Sequence, residues 1–410
     1  MQFSAQAMIP FLRQYSEAVE AVAGDRYGQN VNMDKTSVNI MKLAVDIWLR
    51  QLVSQNPSTL VITRSPGLRT AAFELELATN YLLKTIKFGA SLAEVVHSAI
   101  YLSGVMKVGL SSPYLKRGSG FSDKGGHPYA EMVLVNDFLF DMNAKRPYEW
   151  EWVGNRYRVP YDDVMENPDF DPEVKKALAR GLEETSGDFS GENIDPSELS
   201  AGKTILKTEY RDQVELWDVF IPSEQILVTI PAQHGLGPLL VKEWTGDERG
   251  PYHFLSFGNV PGNVVPSAPI QHLYHAQDLL TRLFNQLGRQ AQRQKTITVS
   301  DGQAEADGTA TRIMEAMDGH VIHTSHIDGV KEMKYGGVDA DNFKFVIWLK
   351  EMMSYLGGNL DAMGGLSQQA NTLGQEQLLV QSSSQMLKDM QARVITFASE
   401  VIQDLARYLY

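Results

Sequence analysis

Apolar residues in the C-terminal part of the chain recur with the three- and four-residue spacing of amphipathic helices. The pattern predicts long helices over residues 270–295, 339–356 and 374–408. The apolar face of the first helix carries Leu273, Leu280, Leu283, Phe284 and Leu287. At 1.5 Å per residue this helix extends roughly 40 Å, so long helical rods are expected to dominate this part of the fold.

The N-terminal part combines helical spacing with a later change to the period of strands. The predicted helices span residues 36–52, 68–86 and 91–106. Ser37 is a plausible N-cap of the first, and Ser91 with Glu94 forms a capping box that would begin the last. Strand-like patterns follow over residues 132–140, 153–159, 205–210, 214–221, 225–230 and 239–243. The sequence therefore predicts an α+β fold, mainly helical, with a β-rich layer over residues 203–257.

A small insert separates the first two long helices. Residues 296–299 and 320–323 favour strands, and residues 309–317 favour a helix. A glycine-rich polar loop, residues 357–374, then leads to the third long helix. Two helices that frame a small insert cannot bury both of their sides, so we expect this part of the chain to need neighbours.

Composition excludes several kinds of chemistry. The 410 residues include no cysteine, which excludes disulfides, thiolate catalysis and cysteine-bound metals. No phosphate-binding G-x-x-x-x-G-K-[ST] loop, zinc-binding H-E-x-x-H or nucleophile elbow G-x-S-x-G occurs. His320, His323 and His326 are possible metal ligands, but residues three apart in a strand face opposite sides. We therefore expect no enzymatic activity, no cofactor and no metal.

The charge and hydropathy of the chain bear on its partners. The formal net charge is −13, which is unlike a protein that grips nucleic acid through a basic patch. Acidity either serves solubility alone or keeps a DNA-facing wall from holding DNA. No stretch reaches the roughly 18 apolar residues that span a bilayer, so no membrane association is expected.

Several short segments, in this order, resemble the portal proteins, or head-to-tail connectors, of tailed double-stranded DNA bacteriophages. They are residues 31–57, 136–144, 152–158, 162–164, 214–218, 250–255, 259–263 and Pro266. The most specific is Gly-Pro-Tyr-His-Phe-Leu at residues 250–255. The resemblance covers most of the chain, and its plan of two rods around an insert is similar as well.

The resemblance implies a portal-like subunit with a wing, a two-helix stem, a small α/β clip and a tunnel loop. The implied parts are the wing at 1–268, the first stem helix at 269–295, the clip at 296–338, the second stem helix at 339–356, the tunnel loop at 357–374 and a long wing helix at 375–410. Portals usually continue into a helical crown. Because this chain ends at Tyr410, a minimal or absent crown is expected.

The function implied by the resemblance is structural. About twelve subunits would form a ring at the capsid vertex, and the ring would be the channel for genome packaging and ejection. Its expected partners are double-stranded DNA, the major capsid protein, the terminase motor and head–tail adaptor proteins. The expected location is the head–tail junction of the virion, and the host cytoplasm during assembly. Another ring-forming adaptor or collar protein is the alternative.

Two groups of residues are candidate DNA contacts. The tunnel-loop candidates are Asn359, Asp361, Ser367, Gln368, Gln369 and Asn371, which could touch phosphates weakly. An ordinary linker between helices is the alternative for this segment. Arg282, Arg289, Arg293 and Lys295 form a predicted basic band on the first stem helix. This band either meets DNA or a neighbouring subunit, or simply follows the preference of helix C-termini for cations.

Overall fold

The computed structural model has an α+β fold with more helix than strand. It describes residues 2–24, 38–53, 57–111, 126–178, 213–233, 235–300, 312, 315, 330–335, 337–363 and 373–409. Its helices are α1 Gln2–Ala23, α2 Ile40–Leu52, α3 Arg69–Thr85, α4 Phe88–Tyr101, α5 Tyr161–Glu166, α6 Pro172–Ala177, α7 Gln271–Gln292, α8 Ala340–Leu356, α9 Leu360–Met363 and α10 Leu373–Arg407. Its strands are β1 Gly104–Leu110, β2 Pro128–Val133, β3 Phe138–Phe140, β4 Val153–Pro160, β5 Gln213–Ile221, β6 Ile226–Pro231, β7 Leu240–Glu243, β8 Tyr252–Leu255, β9 Lys295–Ser300 and β10 Val330–Tyr335.

The chain divides into two compact units. The first comprises Met1–Val31, Asn39–His275 and Ser354–Tyr410, and the second comprises Asn32–Val38 and Ala276–Met353. The first unit holds both larger sheets and most of the helices, whereas the second holds most of α7 and α8 with the β9–β10 pair.

Five antiparallel strands form the larger sheet of the first unit, in the order β3-β4-β5-β6-β7. The predicted strands 214–221, 225–230 and 239–243 are confirmed as β5, β6 and β7, each within one residue of its predicted bounds. The alternation of exposed and buried side chains holds only at the start of β5, because residues 216–220 are all buried. The remaining predicted strand of this layer, residues 205–210, lies outside the described residues.

The smaller sheet of the first unit, β2-β1-β8, corrects the prediction of a helix over 91–106. Helix α4 ends at Tyr101, and Val105 and Met106 lie in β1, where they pair with both neighbouring strands. A β-carbon at Gly104 would stand 2.2 Å from the Val95 carbonyl oxygen, so only glycine lets the chain turn back this close to α4.

The predicted starts of two helices are also corrected. Helix α4 begins at Phe88, after Lys87 in a left-handed conformation, so the Ser91 capping box does not mark its start. At α2 the cap is Asn39, whose side-chain oxygen accepts from the Lys42 amide at 2.8 Å. Ser37, the predicted cap, lies outside the described residues.

An aromatic cluster forms the main core of the first unit. The ring centroids of Phe138 and Tyr252 lie 5.7 Å apart, and those of Phe140 and Trp150 lie 5.6 Å apart. Buried aromatic pairs of this kind stabilise a core beyond the area that they bury. The long helix α10 packs its buried face on the same unit through Met390, Val394, Phe397, Val401 and Leu405.

The second unit confirms the two predicted rods closely. The sequence placed them at 270–295 and 339–356, and α7 and α8 have bounds that differ by no more than three residues. Between them, β9 and β10 pair antiparallel, with Lys295 opposite Tyr335 and Ser300 opposite Val330. The predicted strand 296–299 is confirmed by β9, whereas most of 309–317 and all of 320–323 lie outside the described residues.

Candidate assembly interface

Helix α8 buries only a narrow face. In the part of α8 that belongs to the second unit, the apolar side chains that are fully buried are Leu349 and Met353. They stand four residues apart and therefore point in nearly the same direction, with Asn342 and Val346 half-buried beside them. Met352 is half-buried as well, and the other side chains of this part of α8 are exposed to solvent in a single chain.

Large apolar side chains occupy both flanks of α8. On one flank Phe343 is 51% exposed and Ile347 is 44% exposed. On the other, Phe345 is 42% exposed and Trp348 is 50% exposed. At about 100° per residue the two pairs lie roughly 150° apart around the helix, one on each side of the buried face.

The flanks differ in character. The Phe345 and Trp348 rings lie 5.6 Å apart with an interplanar angle of 31°, so they present a broad aromatic surface. Phe343 and Ile347, one turn apart, form a ridge of two separate side chains. The outward side of α8, between the flanks, is polar and includes Lys344, whose ammonium pairs with Asp341 at 3.3 Å. Exposed apolar surface bounded by polar residues is typical of a protein–protein interface.

The sequence predicted that the rods need neighbours but did not identify these four side chains. Residues 343, 345, 347 and 348 do not fit a single helical face, and they were included in the helix without a role. Their spread around the helix could have identified them, because a helix that is apolar on more than one side is expected to be buried on more than one side.

The inner face of α7 differs in part from the predicted apolar face. Leu280 and Leu287 are buried, Leu273 near the start of the helix is buried too, and Leu283 is half-buried. Phe284 lies on the same side of the helix, four residues after Leu280 and three before Leu287, but it is 37% exposed, so this side is only partly covered in a single chain. Gln277 is buried beside the leucines because its amide donates to the Val38 carbonyl at 2.6 Å.

The predicted basic band falls mainly on one exposed side of α7. Arg282, Arg289 and Arg293 follow one another at spacings of seven and four, on the side roughly opposite the buried leucines. Asp278 binds Arg282 through two hydrogen bonds of 3.1 and 2.5 Å, whereas Arg289 and Arg293 form no ion pair with any described residue. Lys295 is the first residue of β9 rather than part of the helix, which corrects its assignment to the helical band.

The start of the predicted tunnel loop is firmly held within the first unit. The Trp48 indole donates to the Gly357 carbonyl at 3.1 Å, and the Asn359 amide donates to the Ser354 carbonyl at 2.7 Å. Asn359 is half-buried with a φ of 61°, and Asp361 is buried in the short helix α9. The structure therefore does not present Asp361 on an accessible surface.

The other loop candidates, Ser367, Gln368, Gln369 and Asn371, lie outside the described residues.

A buried polar network in the first unit is the other arrangement of charged side chains that we considered. Lys107 on β1 lies 2.5 Å from a carboxylate oxygen of Asp218 on β5 and 3.1 Å from the Asn155 side-chain oxygen. Tyr157 and Thr229 both donate to the other oxygen of Asp218 at 2.8 Å. Every carboxylate oxygen of Asp218 thus has a partner.

The same network includes Tyr252, whose hydroxyl lies 2.7 Å from the Asn155 side-chain oxygen and 3.0 Å from the Asp218 carbonyl oxygen, so its one proton is shared between the two acceptors. Burial by itself lowers the pKa of Lys107, but the adjacent Asp218 carboxylate raises that pKa well above its usual value. Because Tyr252 and Asn155 are buried and the charges are paired, the network links the two sheets of the unit and leaves no accessible reactive group.

Comparison with known proteins adds no assignment: no protein-family model matches the chain, and no curated protein sequence matches it. Across the described residues no helix is both long and apolar enough to cross a membrane. Nor does that part of the chain bring together three or more side chains of the types that bind metals.

Proposed function

We propose that this chain is a structural subunit of a ring-shaped portal at the capsid vertex of a tailed double-stranded DNA bacteriophage. The ring is the channel through which the genome is packaged and ejected, and the docking platform for the packaging motor and the tail. The observation that carries the proposal is α8, a rod with apolar side chains on both flanks and a polar outer side. Both apolar flanks of such a helix are buried only when a neighbouring subunit contacts it on each side.

The charges of the chain support passage of DNA rather than tight binding. The net charge of −13 opposes lasting contact with a polymer that carries one negative charge per about 1.7 Å of its axis. Arg289 on α7 and Arg293, the first residue after it, are exposed and supply local positive charge. A few cations on an acidic wall give weak contacts that a moving duplex can exchange.

The remaining parts of the proposal rest on the resemblance of residues 31–57, 136–144 and 250–255 to portal proteins. They are the ring of about twelve subunits, the tunnel-loop role of residues 357–374, and the partners: the major capsid protein, the terminase motor and the head–tail adaptors.

Native mass spectrometry and electron microscopy of the purified chain test the proposal. We expect a closed ring with an axial opening wide enough for a duplex. A ring whose opening is too narrow for DNA would favour an adaptor or collar protein instead. A chain that stays monomeric at micromolar concentration, with no opening, contradicts both.

The basic band allows a sharper test of contact with DNA. In the assembled particle, we expect Arg289→Gln combined with Arg293→Gln to weaken duplex binding and to flatten its salt dependence. The slope of log K against log salt should fall by about 0.9 for each phosphate contact that is lost. Arg282→Gln is the matched control and should change the slope less, because Asp278 already neutralises Arg282. If the slope of log K against log salt is unchanged in the double variant, Arg289 and Arg293 do not contact the DNA.

A further inference from the structure

An extended segment of the first unit, residues 57–63, runs beside α3 and is held there along one edge of its main chain. The Thr59 amide donates to the Asn80 side-chain oxygen at 2.9 Å, and the Asn80 side-chain amide donates back to the Thr59 carbonyl at 3.0 Å. The Val61 amide donates to a carboxylate oxygen of Glu76 at 3.1 Å. Side chains of α3 therefore occupy this edge in place of a neighbouring strand.

The spacing of these contacts shows that the segment is extended. The two side chains that hold it stand four residues apart on α3, about 6 Å along the helix. The two amides that they bind are two residues apart, which is about 6.6 Å in a strand. Successive amides of an extended chain point to opposite sides, so those of Leu60 and Ile62 point away from α3. Within the described part of the chain, neither residue has a main-chain hydrogen bond.

The open edge is well suited to pair with another strand. Residues 59–63 read Thr-Leu-Val-Ile-Thr, a run of β-branched and apolar residues that favours strands. The side chains of Leu60 and Ile62 are 73% and 80% exposed. Exposed strand edges usually carry a lysine or a proline that prevents pairing, and this run contains neither.

We propose that residues 59–63 bind an extended segment of a partner protein by β-strand addition, and that the partner segment alternates apolar with acidic side chains. The occupant is a polypeptide in extended form, because the free N–H and carbonyl groups of Leu60 and Ile62 recur at strand spacing. Apolar side chains of the added strand would pack across the strands against these two residues. This contact belongs to the first unit and does not depend on the proposed ring.

The local charge indicates which strand is added. Residues 57–73 contain two exposed cations, Arg64 and Arg69, and no carboxylate, although the whole chain has a net charge of −13. Arg64 follows Ile62 at the same two-residue spacing as Ile62 follows Leu60, so a carboxylate on the added strand can pair with it. A second copy of this chain would bring the same two arginines and no carboxylate. The charges therefore favour a foreign, acidic strand.

A synthetic peptide tests the inference on the full chain. The probe is a fluorescein-labelled peptide of alternating valine and glutamate, and its binding is measured by fluorescence anisotropy. We expect saturable binding, and at least about ten-fold weaker binding of the same peptide N-methylated at every amide, which has no main-chain donors. Equal binding of the two peptides, or binding of neither, overturns the inference.

Substitution at Ile62 separates the main chain from the side chain. Ile62→Ala shortens the side chain and keeps the amide, whereas Ile62→Pro also removes the outward N–H. That N–H has no partner among the residues described, so the proline should cost the fold little, which urea unfolding checks. We expect the peptide to bind Ile62→Pro about ten-fold more weakly than Ile62→Ala. Equal affinities of the two folded variants contradict strand addition.

Hydrogen exchange gives a measurement that needs no variant. In the free chain the amides of Thr59 and Val61, which donate to α3, should exchange more slowly than those of Leu60 and Ile62. Saturating peptide should slow exchange at Leu60 and Ile62 and leave the other two nearly unchanged. If the peptide does not slow exchange at Leu60 and Ile62, the edge is not the binding site and the inference is wrong.

Two other occupants predict different results. If a second copy pairs with the edge, Ile62→Pro should lower the mass of the native assembly and the peptide should not bind. If a lipid surface covers it, the chain should bind vesicles of phosphatidylglycerol, lose that binding in Leu60→Asp, and ignore the peptide. Either result overturns the inference. Weaker binding of the acidic peptide to Arg64→Glu supports the assigned charge of the partner, and unchanged binding contradicts it.

Discussion

The two units satisfy their side chains in opposite ways. In the first unit the carboxylate of Asp218 has partners on both oxygens, and the Lys107 ammonium lies between Asp218 and Asn155. In the second unit α8 leaves Phe343 and Trp348 about half exposed. The polar network of the first unit is therefore complete within one chain, whereas α8 of the second leaves apolar surface that a single chain does not cover.

This difference indicates where stability and assembly reside. Substitutions in the Lys107 network should change the free energy of unfolding and spare the contacts between chains. Substitutions on the α8 flanks should weaken the proposed contacts between chains and leave the free energy of unfolding of a single chain nearly unchanged. The predictions below test this division, beginning with the largest expected change in unfolding free energy.

Asp218→Ala should cause the largest loss of stability. It leaves the Lys107 ammonium buried without its counter-charge, and removal of one partner from a buried ion pair costs about 3–5 kcal/mol. Urea unfolding of the purified chain measures the loss. Asp341→Ala is the control: its pair with Lys344 is exposed, with side-chain exposures of 76% and 88%, so little change is expected. Equal losses of unfolding free energy in the two variants would contradict the proposed difference between the two units.

Tyr252→Phe should have an intermediate effect, because it deletes the hydroxyl whose proton is shared between the Asn155 side-chain oxygen and the Asp218 carbonyl oxygen. The loss of these hydrogen bonds should cost about 1–3 kcal/mol near pH 8.

The same residue also affects stability at high pH. Burial raises the pKa of Tyr252, and Asp218 together with the surrounding tyrosines raises the pKa of Lys107 against the opposing effect of burial. The folded chain therefore keeps protons that the unfolded chain loses above about pH 10. The stability from both groups is complete below that pH and is lost as pH rises further. Between pH 8 and 11, the free energy of unfolding should fall less steeply with pH for Tyr252→Phe than for wild type, as measured by urea unfolding. A steeper fall in the variant contradicts this account.

Trp348→Asp should have the smallest effect on stability and a large effect on assembly. In a single chain Trp348 is 50% exposed, so its replacement should change the unfolding free energy of monomers by less than about 0.5 kcal/mol. The mass of the native assembly should nevertheless fall. A loss of stability as large as that of Asp218→Ala would mean that α8 is part of a core and not of an interface.

Local patterns predicted the rods well and the sheets less well. Helices α7 and α8 lie within three residues of their predicted bounds because their signal, apolar spacing, is contained in the helix itself. Val105 and Met106 were predicted as helix and lie in a strand, because their conformation follows from pairing with β2 and with β8, about 150 residues later.

The sites show the same limit. The spacing of Arg282, Arg289 and Arg293 was sufficient to place them on one side of a helix, whereas the burial of Asp361 depends on how the segment around it is held. The Lys107 network joins residues from five strands, and no local pattern links them. The α8 flanks were missed because an apolar residue in a helix can be read as core until its exposure is known.

The uncovered aromatic sides of α8 also affect the cell that makes this chain. If the proposed ring forms, newly synthesised copies carry Phe345 and Trp348 partly exposed to water until another copy covers them. Exposed apolar surface of this kind promotes precipitation as well as correct association. Production faster than assembly should therefore yield insoluble protein, and slow expression at low temperature should favour recovery of intact particles.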